Sequence, residues 1–220
     1  MSIPRAIRKA FLAIEQSEGA GATTITYLIE GAVDHEDFAG NAGTIESGDL
    51  QFMTAGRGIV HAEMPNQNAK ANRGLQLWVD LPQKLKMCEP RYRDLRAKEI
   101  PQVDVDGGKV HVKVISGQSH GIDSVKDLAY TPVWIFDIEI KPGGKITQPL
   151  PVGWNAFAYI LSGRAAFGVG KQKTFVDQYH NVVFEQEGDE VIVEVDESAK
   201  ENSRLRGSRS EAPGGKKTGT

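Results

Sequence analysis

The sequence predicts an all-β chain of two related antiparallel units, and three observations carry that prediction. Short alternating or β-branched runs are punctuated by glycine and proline, with 24 glycines in 220 residues, a composition that suits a turn-rich β protein. Val133 to Ile140 alternates, with Trp134, Phe136, Ile138 and Ile140 on one face and Asp137 and Glu139 on the other, so one face is buried. The chain also repeats itself. Thr26 to Gly31, TYLIEG, is echoed by Ala158 to Gly163, AYILSG, and Gly48-Asp49 by Gly188-Asp189. Two copies of one β unit imply two related barrels.

At the start, Met1 to Ala13 carries Arg5, Arg8 and Lys9 with no acid before Glu15, and Ile3, Ile7, Phe11 and Ile14 fall near helical spacing. The stretch reads either as a mitochondrial presequence or as the start of a first strand. Ile25 to Ile29 is a β-branched run ending at Glu30-Gly31, and Ala32 to Asp37 continues it with Val33 and His35 on one face. Gly40-Asn41 supplies a turn.

Gly48 to Pro65, GDLQFMTAGRGIVHAEMP, is the centre of the chain. Gly56 and Gly58 bracket Arg57, which lets the backbone take positive φ where it reverses before Ile59. On the strand that follows, the two-residue spacing puts His61 and Glu63 on one face. An imidazole and a carboxylate side by side can hold a transition metal. The same pair also suits a polar strand face turned to water.

Leu75 to Leu81 alternates and ends at Pro82. Gln83 to Arg96 shows no alternation and reads as a charged loop with Tyr92 as its one aromatic. Val103 to Ile115 gives two short strands around Gly107-Gly108, a hairpin signal. His111, His120 and His180 have no partner at ligand spacing and read as structural or solvated. Pro142-Gly143-Gly144 turns the chain after Ile140. Lys200 to Thr220, with six basic and two acidic residues among Gly, Ser and Pro, offers almost nothing apolar to bury and reads as a disordered tail.

The net charge of −3 gives no reason to expect nucleic-acid binding. The lone Cys88 excludes an intrachain disulfide and suits a reducing compartment. No signal peptide or membrane-spanning segment is apparent.

Several motifs together resemble the pirin family of the cupin superfamily. They are TYLIEG at Thr26 to Gly31, His35-Glu36-Asp37 with Gly40-Asn41-x-Gly43, the Gly48 to Pro65 segment with its terminal His-x-Glu-Met-Pro, LQLWVDLP at Leu75 to Pro82, Lys86-Met87 and Glu89-Pro90. The resemblance runs from about Thr24 to about Val195. It implies two cupin-type barrels or jelly rolls, residues 1–125 and 126–199 followed by the tail 200–220, with the boundary between about Gly121 and Thr131. It also implies a non-haem iron, Fe(II) or Fe(III), held by three histidines and one glutamate. Flavonol (quercetin) 2,3-dioxygenase activity and nuclear transcriptional co-regulation are the family's two roles. On such a set, iron can bind a chelating flavonol and dioxygen at open positions, while the carboxylate takes the flavonol proton.

Glu15 to Thr24, EQSEGAGATT, departs from the family pattern, which reaches this point through several strands and a His-x-His pair. Here no histidine precedes His35. Only His61 and Glu63 of the ligand set map onto this chain, with Glu63 also in the catalytic position, so the expected metal is weakly held and the activity impaired. His35 is the nearest substitute ligand; its plainer reading is a surface or rim histidine. Both barrels are expected to be incomplete, leaving Trp134 to Ile140 as an exposed apolar patch. The expected partners are a flavonol-like small molecule and a nuclear protein, with no nucleic acid and no membrane. The expected location is the nucleus, the cytoplasm or both. A non-catalytic nuclear adaptor is the alternative reading.

Overall fold

The computed structural model describes residues 17–19, 21–69 and 71–211; the presequence reading of Met1 to Ala13 and the tail beyond residue 211 lie outside them. Among the described residues the first unit holds eight strands: β1 (Ser17–Gly19), β2 (Ala22–Glu30), β3 (Ala32–Asp37), β4 (Ala42–Glu46), β5 (Leu50–Thr54), β6 (Ile59–Pro65), β7 (Arg73–Asp80) and β8 (Arg91–Leu95). They form two antiparallel four-stranded sheets, in the orders β1-β6-β3-β4 and β7-β2-β5-β8. Leu28 of β2, Val33 of β3 and Ile45 of β4 pack together at one end, and Met53, Ala55 and Ile59 pack with Tyr92 at the other. A layer of polar side chains lies between these two apolar plugs.

The second unit adds β9 (Gln102–Val105), β10 (Val110–Ser116), β11 (Gln118–Ser119), β12 (Ile122–Asp123), β13 (Val133–Ile140), β14 (Lys145–Pro149), β15 (Trp154–Ser162), β16 (Arg164–Phe167), β17 (Thr174–Asp177), β18 (Asn181–Phe184), β19 (Glu190–Glu194) and β20 (Ser203–Glu211). Its sheets are β18-β15-β20-β13-β10-β9 and β14-β19-β16-β17, with β11 and β12 as a separate pair. Its core is one apolar cluster in which Val112, Phe136, Ile138, Ile160, Val193 and Leu205 are buried. Among the described residues no helix is long and apolar enough to cross a membrane.

The repeat seen in the sequence is a structural repeat. Gly31 ends β2 at φ +92° and Gly163 ends β15 at φ +71°, each just after a register shift in the strand before it. A Cβ at Gly31 would lie 2.2 Å from the Ala71 carbonyl oxygen, and one at Gly163 would lie 2.6 Å from that of Asn202. Both glycines are therefore required by close backbone approach as well as by φ.

Three expectations are corrected here. The chain from Ser203 to Glu211 is no disordered tail, because β20 pairs with β15 in the place that β7 takes beside β2, and with β13 on its other edge. Ordering comes from those two ladders, since Leu205 is the segment's one large apolar side chain. For the same reason Trp134 to Ile140 is no exposed patch, since β10 and β20 flank it and Val133, Ile135, Phe136, Ile138 and Ile140 are buried. Thirdly, the division of the chain places Ile100–Lys126 with the second unit, and only Asp127–Thr131 with the first. Pairing of β10 with both β9 and β13 draws this stretch across the expected boundary.

The two repeats also differ among the described residues. In the second unit, β13 and β14 precede β15, with β14 on β19 and β13 on β20. In the first, the three-residue β1 pairs with β6 as β14 pairs with β19, and no described strand stands beside β7 as β13 stands beside β20.

Candidate metal and ligand site

The reversal before β6 is built as its glycines imply. Gly56 has φ +52° and Gly58 φ +129°, and a Cβ at Gly56 would fall 2.1 Å from the Cys88 carbonyl oxygen, to which Arg57 donates its backbone N–H. Strand alternation then decides which face of β6 is interior. Val60 and Met64 are exposed while Ile59 and His61 are buried and Glu63 is partly so, and the His61–Glu63 face turns inward.

Strand β3 lies antiparallel beside β6, with His35 opposite Glu63 and Asp37 opposite His61. Two imidazoles and two carboxylates therefore share one patch of the inner wall, within side-chain reach across the strands. His35 is not a rim residue. It is 9% exposed, its ring lies 6.3 Å from that of Tyr92 in a stacked arrangement, and a Cβ at Gly43 would come within 2.8 Å of its Nε2. Glycine at 43 leaves the room in which this ring sits.

The stretch from Gln83 to Arg96 holds a strand as well as a loop, because β8 pairs with β5 from Leu50↔Leu95 to Thr54↔Arg91. That pairing carries Tyr92 and Asp94 to the site. Gln51, buried on β5, donates through Nε2 to Asp94 Oδ1 at 3.1 Å and lies 3.1 Å from His35 Nε2, while His35 Nε2 is 3.7 Å from Asp94 Oδ2.

The other carboxylates are also engaged. Glu63 accepts from Gln76 Nε2 at 3.1 Å and from Thr26 Oγ1 at 3.4 Å. Asp37 accepts from the amides of Ala39 and Asn41, from the Asn41 side chain, and from Tyr92. Burial works to raise Asp37, but these donors outweigh it and hold the carboxyl below its usual range. Burial likewise opposes ionisation of Asp94, and hydrogen bonds from His35 and Gln51 overcome it. Burial, with the Asp37 carboxylate beside it, pushes the Tyr92 phenol well above its ordinary value, which keeps it a donor.

Burial pushes the His61 imidazole down, against the upward pull of Glu63 and Asp37 and with His35 adding to the push. The sign of the stability effect follows. The unfolded chain, with His61 back at its ordinary 6.5, takes up more protons than the folded one as pH falls through that value, so the first unit loses stability below it. Urea unfolding at about pH 8 and about pH 5.5 should show this loss, and His61→Gln should reduce it. The same loss in wild type and variant would show that His61 is not its source.

A fully held metal ion does not fit these residues. Among the described residues no three His, Cys, Asp or Glu side chains converge as a metal-binding group; Glu63, Asp37 and Asp94 are all taken up by amide, hydroxyl or imidazole donors. The sequence reading found His61 and Glu63 but passed over Gln51, Tyr92 and Asp94. A glutamine between Leu50 and Phe52 was the available signal, since a buried amide in an apolar strand calls for polar partners nearby. In the second unit, the corresponding interior encloses a cavity of about 40 Å³ walled by residues such as Trp134, Phe136, Val191, Val193 and Leu205. His111 bonds Asp104 at 2.7 Å, His120 contacts Ser119, and His180 contacts the carbonyls of Asp177 and Gln178.

The family profile described as Pirin matches residues 12–79, and that of the Pirin C-terminal cupin domain matches residues 135–204. The chain belongs to the pirin family. Human pirin is 46% identical over 175 residues, which are 79% of this chain and 59% of that protein. A pirin-like protein of Solanum lycopersicum is 47% identical over 154 residues, 70% of this chain and 52% of its own length. The chain thus spans about half the length of the curated relatives it matches.

Among solved structures, the Geobacillus kaustophilus protein GK1651 superposes with a TM-score of 0.80 at 33% identity, covering 92% of this chain and 79% of that one. An Acinetobacter baumannii protein described as quercetin 2,3-dioxygenase gives 0.79 at 27% identity, covering 90% and 68%. The Escherichia coli pirin YhhW, described in complex with nickel(II), gives 0.65 at 16% identity and bears on the fold alone. Both β units are cupin-type, as the sequence motifs imply.

Proposed function

We propose that this chain is a pirin-type cupin whose first unit takes a flavonol-like small molecule, with quercetin 2,3-dioxygenase activity that is impaired because only His61 and Glu63 remain of the iron ligands. One observation carries the reading. His61 and Glu63 occupy the inner wall of the first unit, and among the described residues no three His, Cys, Asp or Glu side chains form a group that could hold a metal ion. The likeness to a protein described as quercetin 2,3-dioxygenase supports the substrate class. The incomplete donor set favours a second reading, a non-catalytic nuclear co-regulator that binds a protein partner and needs neither iron nor flavonol.

Oxygen uptake with quercetin tests the proposal. Loss of an ion's protein ligands costs more than loss of the groups that orient them, so the rate should fall at least about 100-fold below that of an intact pirin assayed alongside. A rate equal to the intact pirin's would contradict the impaired reading. Flavonol binding with slow turnover separates the first reading from the adaptor, which binds none.

A further inference from the structure

In the second unit, β18 stands beside β15 as β5 stands beside β2 in the first. Ile160 donates its amide to the His180 carbonyl at 3.1 Å and accepts from the Tyr179 amide at 2.8 Å, as Leu28 does with Asp49 at 3.1 Å and Gly48 at 2.7 Å. The far edges differ. In the first unit β8 covers β5, while among the described residues no strand lies on the far edge of β18. Because the His180 carbonyl points to β15, alternation turns the backbone N–H and C=O of Asn181 and Val183 outward, to that open edge.

An open edge is a template for another strand, and proteins guard such edges with charge or proline. In the four larger sheets the other edge strands, β1, β4, β7, β8, β9, β14 and β17, each carry at least one charged residue. Asn181–Phe184, NVVF, carries none and no proline. Its Val183 is 80% exposed, more than any other large apolar side chain described. Val182 and Phe184, on the opposite face, pack against the apolar core.

The strand is complementary to itself. Opposed residues of an antiparallel pair share a face, so two copies related by a two-fold axis must set odd-numbered positions against odd and even against even. With Val183 on Val183, each copy donates and accepts at that residue, and Val182 meets Phe184 on the core side in both directions. Asn181 then lies opposite Glu185, whose carboxylate can accept from its amide. This register opposes no like charges and leaves Tyr179, at φ +66°, outside the ladder.

We propose that the open edge of β18 is a dimerisation surface, joined to the same strand of a second copy of this chain in antiparallel register about Val183. The pairing runs one sheet through both copies and consumes the edge it uses, so association stops at two. It goes beyond the iron and flavonol reading and is independent of it, since β18 lies in the second unit and carries none of the residues invoked there.

Sedimentation velocity of the whole chain over about a hundredfold concentration range tests the proposal. A four-residue edge buries less than a standard interface, so the wild-type chain should show a monomer–dimer equilibrium that reverses on dilution, with nothing larger. Val183→Lys and Val183→Glu, each alone, should weaken dimerisation at least about tenfold, because like charges then oppose each other across the axis. An equal mixture of the two variants should associate again, a lysine now facing a glutamate. Val183→Pro removes only an outward N–H, which an edge strand tolerates, and should also give monomers. Val183 is exposed, so the Lys and Glu variants should melt as the wild type does; if Val183→Pro unfolds the strand, they decide alone.

A wild-type chain that stays monomeric throughout would overturn the proposal and leave the edge to an extended segment of another protein. Growth beyond the dimer would overturn it as well. Dimers as tight in either charged variant would place the contact elsewhere, and charged variants that fail to associate when mixed would refute the register about Val183.

Discussion

Replacing Leu205 by Asp should unfold the second unit. The residue is 2% exposed in the apolar core, opposite Ile138 on β13 and Ile160 on β15. Truncating a buried leucine to alanine costs roughly 2–5 kcal/mol, and a carboxylate left there adds the cost of an unpaired buried charge. The sum approaches the whole stability of a domain, about 5–15 kcal/mol. Arg204→Ala provides a milder companion. It removes the guanidinium that grips the 3%-exposed Asp137 carboxylate through Nε at 2.8 Å and through Nη2, and loss of one partner from a buried pair costs about 3 kcal/mol. Thermal unfolding followed by circular dichroism should show the Leu205→Asp chain without the second unit's transition. Unchanged melting would mean that β20 is dispensable.

That strand also marks where sequence reading reaches its limit. Val133 to Ile140 was legible because its alternation sorts large apolar residues from charges, and the two-unit repeat because glycine recurs where the backbone cannot accommodate a Cβ. RLRGSRS carries arginines at 204, 206 and 209 with a single large apolar residue, and its place in the sheet depends on ladders to strands 42 to 77 residues earlier in the chain. Local pattern does not report such pairings. β8 was missed in the same way, since RYRDL buries only Leu95, and with it went the two site residues Tyr92 and Asp94.

The face that carries His61 and Glu63 was readable from two-residue spacing together with the family motif. What surrounds them was not. His35 stands 26 residues before His61, and only the β3–β6 register puts Asp37 opposite His61 and His35 opposite Glu63. Gln51 reaches His35 from the other sheet. A buried polar layer of this kind is assembled by cross-sheet contacts, so its members look unremarkable along the chain while each depends on the others for its hydrogen bonds.

The second large expected effect concerns the metal. Two protein side chains leave most of an ion's coordination to water, and they must also give up existing partners, since Glu63 already accepts from Gln76 and Thr26. Such an ion should bind weakly, exchange readily and be lost at low pH, because His61 must be neutral to ligate. His61→Ala should abolish what iron is bound, while His35→Ala, which alters the wall but neither of the two ligands, should leave that small amount in place.

Iron per chain after dialysis against a mild chelator tests this account most directly. The prediction is a content far below one iron per chain, falling to background in His61→Ala and unchanged in His35→Ala. Tight retention of one iron per chain would show that other residues complete the site, and an equal loss in His35→Ala would identify His35 as the replacement ligand.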